Sequence, residues 1–141
     1  MQLYFMKKWA NGSPTYFKEK IEGVIGFPQK IHTIRVDKNK RWKAGNKIHF
    51  SQWADKPYRS ACEPIHEVLL CTSVQSFEVL EDNAVYVAKK LLTEKQVFKL
   101  AVNDGFSDSL TNNIEGVLER FFGYFNAGFK GRIIHWTNKK Y

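Results

Sequence analysis

The sequence is poor in cysteine and has no long apolar run. Its 141 residues include two cysteines, Cys62 and Cys71, which is too few for the disulfide framework of a small secreted protein. No stretch approaches the ~18 consecutive apolar residues of a membrane span, and no apolar run follows a basic N-terminus. We therefore expect a soluble cytoplasmic protein in a reducing compartment, with no membrane partner.

The motifs of several common chemistries are also missing. Neither CxxC nor HxxxH occurs, and Cys62 and His66 stand four residues apart where a loop is expected to lead into a strand; this is not zinc-ligand spacing. There is no phosphate-binding or dinucleotide-binding glycine motif and no GxSxG sequence. We predict no metal site and no cofactor, and we do not expect nucleoside triphosphate hydrolysis.

Aromatic residues are abundant. The chain has 11 Phe, 6 Tyr and 4 Trp, and 43% of its residues are hydrophobic, a composition that excludes disorder. A chain of this length can bury roughly 70% of the surface of its unfolded form in one core. We predict a single domain over residues 1–141 and make no prediction of its oligomeric state.

The positive charge is concentrated in one part of the chain. The net charge is +8, and residues 30–59 contain nine Lys or Arg but only two acids, a local balance of 9 − 2 = +7; the remainder has 13 basic and 12 acidic residues. Such a concentration favours an anionic partner, nucleic acid foremost. The alternative is a solvated charged loop without a partner.

Apolar alternation predicts a mostly antiparallel set of strands. The predicted strands cover residues 31–36, 47–53, 65–80, 85–88 and 130–137. Residues 37–46 read as a long hairpin loop, and residues 81–84 as a hairpin turn. The apolar phase changes near residues 74–77, which predicts a bulge or bend in the third strand. No parallel crossover is expected.

Three helices are predicted from their end signals. The first has Ser13 as its N-cap, Pro14 at its first position and Gly23 at its end. The second starts in a capping box of Thr93 and Gln96 and runs to Gly105. The third covers residues 112–125, and its aromatic stripe predicts core packing. Together with the strands these helices give an α+β fold.

Four polar residues crowd one predicted strand. Lys30, His32, Thr33 and Arg35 lie within six residues, where a structural strand would alternate with apolar residues. Thr33 offers a hydroxyl nucleophile or a hydrogen bond, Lys30 and Arg35 offer anion contacts, and His32 offers proton transfer. The alternative is an edge strand protected by charge.

Asp104 is a second candidate site residue. It lies on the apolar stripe of the second helix, at the last turn, where desolvation and the helix dipole both disfavour a carboxylate. It therefore needs a cationic or hydrogen-bonding partner. If that partner is Lys30 or Thr33, the arrangement suits amide hydrolysis. The alternative is an aspartate that only pairs with a lysine at the core edge or leads into a turn at Ser107.

Basic and aromatic residues interleave after the polar strand. This pattern suits a surface on which bases stack while phosphates are neutralised. The candidate nucleic-acid or ligand contacts are Arg41, Trp42, Lys43, Trp53, Lys56, Tyr58 and Arg59, together with His32 and Arg35. The alternative is that Trp42 and Trp53 only cover the ends of a barrel.

These features together resemble the ASCH family. Residues 30–35 (KIHTIR) resemble its K-x-x-T-I-R strand, and residues 42–48 (WKAGNKI) its basic loop and G-D/N-x-I/L turn. Residues 100–106 (LAVNDGF) resemble its helix that ends in an acid-Gly pair, and residues 131–137 its final strand. The resemblance spans residues 30–137, in the family's order along the chain.

The resemblance implies a small, mostly antiparallel PUA-like β-barrel flanked by helices. It also implies binding of RNA or of a modified nucleoside. Some small bacterial members are amidohydrolases that deacetylate N4-acetylcytidine with a lysine, a threonine and a carboxylate, and Lys30, Thr33 and Asp104 match these, with aspartate where the hydrolases have glutamate. Amidohydrolysis is thus the first alternative, and a non-catalytic protein-interaction module the second. Lys30 and Thr33 converge only if Lys30 precedes the strand or the strand is bulged.

Overall fold

Side chains that alternate between the core and the surface are typical of the strands of this fold, and the seven-residue strand Lys47–Trp53 shows this alternation. The computed structural model describes residues 1–109 and 113–141. In chain order its elements are β1 (Gln2–Phe5), α1 (Phe17–Glu22), β2 (His32–Arg35), β3 (Lys47–Trp53), β4 (Cys62–Pro64), β5 (Leu69–Leu70), β6 (Ser73–Val79), β7 (Val85–Val87), β8 (Lys90–Leu91), α2 (Glu94–Asn103), α3 (Ile114–Tyr124) and β9 (Lys130–His135). In β3, Ile48, Phe50 and Gln52 are buried while the residues between them are more exposed, as the two-residue period of a strand requires.

The strands form two sheets. One has the order β1-β3-β4, with β5 also paired to β3, and the other has the order β2-β9-β6-β7-β8. The α+β class is confirmed, but the strand pairing closes neither sheet, so the closed barrel is not shown. The pairing is mostly antiparallel, as predicted. However, β1 pairs with β3 in parallel, which is a parallel crossover of the kind that was not expected; β1 itself is too short to have given a periodic signal.

Residues 37–46 do not form a hairpin loop. β2 pairs with β9 and β3 pairs with β1, β4 and β5, so this loop carries the chain from one sheet to the other. The Asp37 carboxylate fixes its shape by accepting bonds from the backbone N–H groups of Arg41 at 2.9 Å and Trp42 at 3.0 Å. Arg132 on β9 completes the arrangement with a 2.8 Å ion pair to Asp37.

The predicted strand over residues 65–80 is two strands, β5 and β6. Between them Cys71 exchanges backbone hydrogen bonds with Gly45 and Asn46, whereas the next residue, Thr72, donates to His135 O. The chain therefore changes sheets at residues 71–72.

β6 then pairs with β9 in one unbroken register from Ser73 to Glu78, so the bulge or bend expected near residues 74–77 is absent from this strand. Val74 and Phe77 are three residues apart on it and therefore face opposite sides. The hairpin between β6 and β7 is confirmed.

The helix ends agree with the predictions to different degrees. α1 begins at Phe17, because Pro14 is held in a bridge with Lys8, but Gly23 ends it in the left-handed region as predicted. The capping box of Thr93 at α2 is confirmed. α3 begins at Ile114 with Asn113 as its cap; the predicted start at residue 112 lies outside the described residues.

The core is one cluster of apolar side chains from both sheets and the helices. α3 contributes Val117 and Phe121 to it, as its periodicity predicted. Phe106, just after α2, packs edge-on to Phe121 with ring centroids 5.3 Å apart. This aromatic packing holds the end of α2 against α3 and thereby positions Asp104. Within the described residues, no helix has the length and apolar character needed to span a bilayer.

Candidate ligand-binding cavity

Lys30 lies just before β2, and this position decides which way it faces. Its backbone N–H donates to Lys20 O, and the next residue, Ile31, donates to Asn103 O, both at 2.9 Å. The segment is thus held between α1 and the end of α2. Because Lys30 is outside the regular strand, its side chain and that of Thr33 line the same cavity, although residues three apart on a strand face opposite sides.

Asp104 is the C-cap of α2 and has the buried cationic partner that the sequence required. Its Oδ1 atom lies 3.2 Å from Lys30 Nζ and 3.2 Å from His32 Nδ1. Lys30 Nζ also donates to the backbone oxygen of Asp104. Lys30 and Asp104 are only 2% and 3% exposed, so the pair is shielded from water.

Gly105 is needed for this arrangement. Its φ of +95° lies in the left-handed region that favours glycine. A Cβ atom there would stand 2.9 Å from Phe17 Cε1 and 3.1 Å from Lys30 Cδ. The acid-Gly pair in the sequence therefore has a physical basis: the glycine lets α2 end directly against Lys30 and places the carboxylate beside it.

Burial makes Lys30 an unusual lysine. Desolvation lowers the pKa of Lys30 to about 8, and the attraction of Asp104 offsets only part of that effect. An ammonium group has three N–H donors, and two of them meet Asp104. The third has no acceptor among the described parts of the chain, so it is available to a ligand in the cavity.

His32 faces away from the cavity. It is fully buried, and its two ring nitrogens contact Asp104 Oδ1 and, at 2.7 Å, the Tyr141 hydroxyl. Asn103 donates to the same hydroxyl. Burial lowers the pKa of His32 despite the nearby carboxylate. His32 therefore positions Asp104, and its role as a ligand contact stays a prediction.

The cavity has a volume of about 190 Å³ and mainly aromatic walls. Lys30 Nζ lies 5.1 Å from the centre of the Phe17 ring, and Arg35 Cζ lies 5.0 Å from that of Phe5, so these cations border aromatic faces. The aromatic side chains that line the cavity are Tyr4, Phe5, Trp9, Phe17, Phe106, Tyr124, Phe125 and Phe129, and the polar ones are Lys30, Thr33, Arg35 and Asp104.

Polar groups on the cavity lining lack protein partners. Arg35 donates from one terminal nitrogen to Tyr4 O at 2.7 Å, but its buried Nε has no acceptor within residues 1–109 and 113–141. The same holds for the buried indole Nε1 of Trp9. Thr33 is 4% exposed, and no hydrogen bond links its hydroxyl to any residue that the structure describes. Asp104 in particular is bonded to Lys30 and His32, not to Thr33.

Residues 37–46, in the loop after β2, do not line the cavity. Trp42 is a core residue at 7% exposure and does not line the cavity, so its ligand role stays a prediction. It is buried because its backbone N–H is held by Asp37 and its carbonyl accepts from Arg132. Arg41 and Lys43 are exposed on the same loop and do not line the cavity.

The aromatic residues further along the chain form a stack beside the cavity. Trp53 lies face to face with Tyr4, with ring centroids 5.2 Å apart and an angle of 22°. Tyr58 packs on Trp53 at 5.1 Å and is 86% exposed. Lys56 and Arg59 are exposed on the same loop. Because Tyr4 also lines the cavity, this stack begins at its edge.

Sequence reasoning missed the contribution of the N-terminal segment. Tyr4, Phe5 and Trp9 form part of the cavity wall, although β1 was not predicted. The segment offered no motif, and its aromatics resembled ordinary core residues. The parallel pairing of β1 with β3 places these side chains on the same cavity as residues of β2. No sequence pattern near β1 predicts that pairing.

The described residues contain no group of three or more His, Cys, Asp or Glu side chains arranged to hold a metal ion. Comparisons with protein-family models, with curated proteins and with solved structures gave no match for this chain. The resemblance to the ASCH family therefore stays a prediction that depends on the motif residues themselves.

Proposed function

We propose that this cavity binds a single nucleobase, presented by a nucleoside or by RNA. The observation that carries the proposal is a set of polar groups on one aromatic lining that bond to no described residue: the buried Arg35 Nε and Trp9 Nε1, and the Thr33 hydroxyl on the same lining. A buried donor without an acceptor costs about 1–3 kcal/mol, and unsatisfied groups of this kind are few in folded proteins. Several on one cavity are explained if a ligand supplies their partners.

The size and chemistry of the cavity indicate a base. Its volume of about 190 Å³ is below the roughly 300–1,000 Å³ typical of sites for drug-sized ligands, so it suits one planar ring system. The aromatic walls offer faces for stacking. Lys30, Arg35 and Trp9 contribute donors, which complement the carbonyl oxygens and unprotonated ring nitrogens at the edge of a base.

The ASCH resemblance supports the same function. Its three carried-over residues line one cavity: Lys30 and Thr33 from the β2 segment, and Asp104 from the end of α2, far along the chain. We also propose that the two sheets are a PUA-like arrangement, because the strand with the K-x-x-T-I-R motif pairs with the final strand and the helix with the acid-Gly pair ends against it.

Binding is tested by following backbone and indole NMR signals during titration with each common nucleoside and with N4-acetylcytidine. We expect the signals of Trp9 Nε1, Thr33 and Gly105 to move together and to saturate for at least one of them. The exposed loop residue Lys38 is the internal reference and should not shift. If no nucleoside moves the cavity signals, or if only loop signals move, the proposal is wrong.

Amide hydrolysis is a second candidate, favoured by the Thr33 hydroxyl, which bonds to no described residue, and by the pKa of Lys30 of about 8. In this reaction Thr33 Oγ1 attacks the acetyl carbon of N4-acetylcytidine, the C–N bond breaks, and the proton from Thr33 passes by way of neutral Lys30 to the leaving amine. Water then cleaves the acetyl ester and restores the hydroxyl. Asp104 holds Lys30 in place.

Incubation of the protein with N4-acetylcytidine, followed by chromatography of cytidine and acetate, tests this second candidate. We expect turnover that rises with pH through about 8, as Lys30 loses its proton, and that disappears in Thr33→Ala. Equal turnover in the variant, or none in the wild type, excludes hydrolysis but leaves base binding intact. The remaining alternative is a protein-interaction module. It is tested by competition between RNA and acidic proteins for this chain, and it requires that an acidic protein displace the RNA.

A further inference from the structure

A second, wider depression adjoins the cavity. It has a volume of about 690 Å³ and lies between the N-terminal segment, the loop after β3 and α3. Met6, Trp9 and Tyr124 line both this groove and the cavity. The two spaces are therefore neighbours that share a wall. Trp9, whose indole N–H has no partner among the described residues, stands between them.

The groove is lined by positively charged side chains, and not all of them form ion pairs within the described ranges. Lys8, Lys56 and Arg120 line it, against a single acid, Asp55. Arg120 lies over the Trp9 ring at 5.2 Å and pairs with Asp108 at 3.4 Å. Lys8 and Lys56 are exposed and form no salt bridge with any residue in the described ranges. Two free cations beside a base-sized cavity suit phosphate groups.

We propose that the groove holds the phosphates of a single-stranded nucleic acid whose base enters the cavity. This inference rests on the proposed function and narrows it from a nucleoside to a strand. A base in a duplex reaches an enclosed pocket only after it leaves the stack, which costs a few kcal/mol, so a single strand is the favoured ligand. The phosphates on the sugar of an inserted nucleotide have to lie outside the cavity, and the groove is the adjoining cationic surface.

The aromatic stack at the cavity edge accommodates a neighbouring base. Tyr4 lines the cavity, Trp53 lies against Tyr4, and Tyr58 lies against Trp53. Tyr58 is strongly exposed and adopts a left-handed φ of 61°, which is uncommon for a residue other than glycine. Exposed aromatic faces next to cations are the usual platform for single strands.

The test compares a nucleoside, its 5′-monophosphate and a trinucleotide of the same base, each titrated by calorimetry over a range of KCl concentrations. We expect the trinucleotide to bind at least about tenfold tighter than the nucleoside. Because single strands release about 0.7 counterions per phosphate neutralised, Lys8→Ala/Lys56→Ala should lower the salt slope by roughly 1.4. Nucleoside affinity should not change in this variant.

The matched control is Lys90→Ala/Lys95→Ala, which removes the same charge from exposed positions outside the groove. It should leave trinucleotide affinity and its salt slope unchanged. If nucleosides bind but the trinucleotide gains nothing, or if the control loses as much as the groove variant, this inference is wrong and base binding survives. Equal affinity for a duplex also overturns it. If nothing binds, the proposed function itself fails.

Discussion

The cavity and the basic segment, residues 37–59, contrast in how they use charge. The segment holds most of the local charge excess in the sequence, yet its first part has structural tasks: Asp37 shapes the loop and Trp42 enters the core. The cavity has few charges, but Lys30 and Asp104 are buried and converge. A high density of charge along the sequence therefore indicates an exposed surface. The candidate binding site is indicated instead by charged side chains that the fold buries.

The largest expected effect is on stability when the buried pair is broken. Lys30→Ala leaves Asp104 buried beside His32 without its main cation, which should cost about 3–5 kcal/mol. Lys38→Ala removes the same charge from the exposed loop and should change stability by no more than about 0.5 kcal/mol. Urea denaturation measures both. Similar losses of unfolding free energy in the two variants would contradict the claim that the cavity and the basic segment use charge differently.

The next largest effect is a difference in stability between alanine variants of the two tryptophans in the basic segment, Trp42 and Trp53. Trp42→Ala opens a cavity in the core and should cost about 3–5 kcal/mol of unfolding free energy. Trp53→Ala removes a partly exposed ring and should cost less. In turn, it should weaken trinucleotide binding more than nucleoside binding. Denaturation and calorimetry together check this; a larger stability loss in Trp53→Ala would contradict the positions of the two rings.

Ligand affinity should depend on pH through Lys30. A base that accepts a hydrogen bond from the ammonium group binds best while Lys30 is protonated, so affinity is full below its pKa of about 8 and declines as pH rises through it. Between pH 7 and pH 9 the loss should be roughly tenfold. Cytidine and adenosine, which do not titrate in this range, are the ligands to use. A flat affinity profile would show that Lys30 does not contact the base.

The smallest effect is expected in the loop after β2. Arg41→Ala and Lys43→Ala lie on exposed positions that do not line the cavity, so nucleoside affinity should change by less than about twofold, as for screened surface charges. Calorimetric titration of both variants checks this. A tenfold loss of nucleoside affinity in either variant would show that the basic loop contributes to the binding site.

Local patterns predicted much of the fold but little of the site. The alternation in β3 and the capping box at Thr93 are encoded within a few residues, and both appear as expected. Lys30 and Thr33 were two of the partners considered for Asp104, and Lys30 is the residue that meets it. The shared wall formed by Trp9 was not predictable, because it depends on the parallel pairing of β1 with β3 across the chain. Contacts of that range leave no periodic signal.

The most direct test of the central claim is nucleoside titration of Thr33→Val by calorimetry. Valine keeps the shape of the side chain and removes only a hydroxyl that bonds to no described residue, so stability should be unchanged within about 0.5 kcal/mol. If that hydroxyl meets the base, affinity should decline roughly fivefold to tenfold, the value of one hydrogen bond. Equal affinity in wild type and variant would contradict the assignment of this cavity as the binding site.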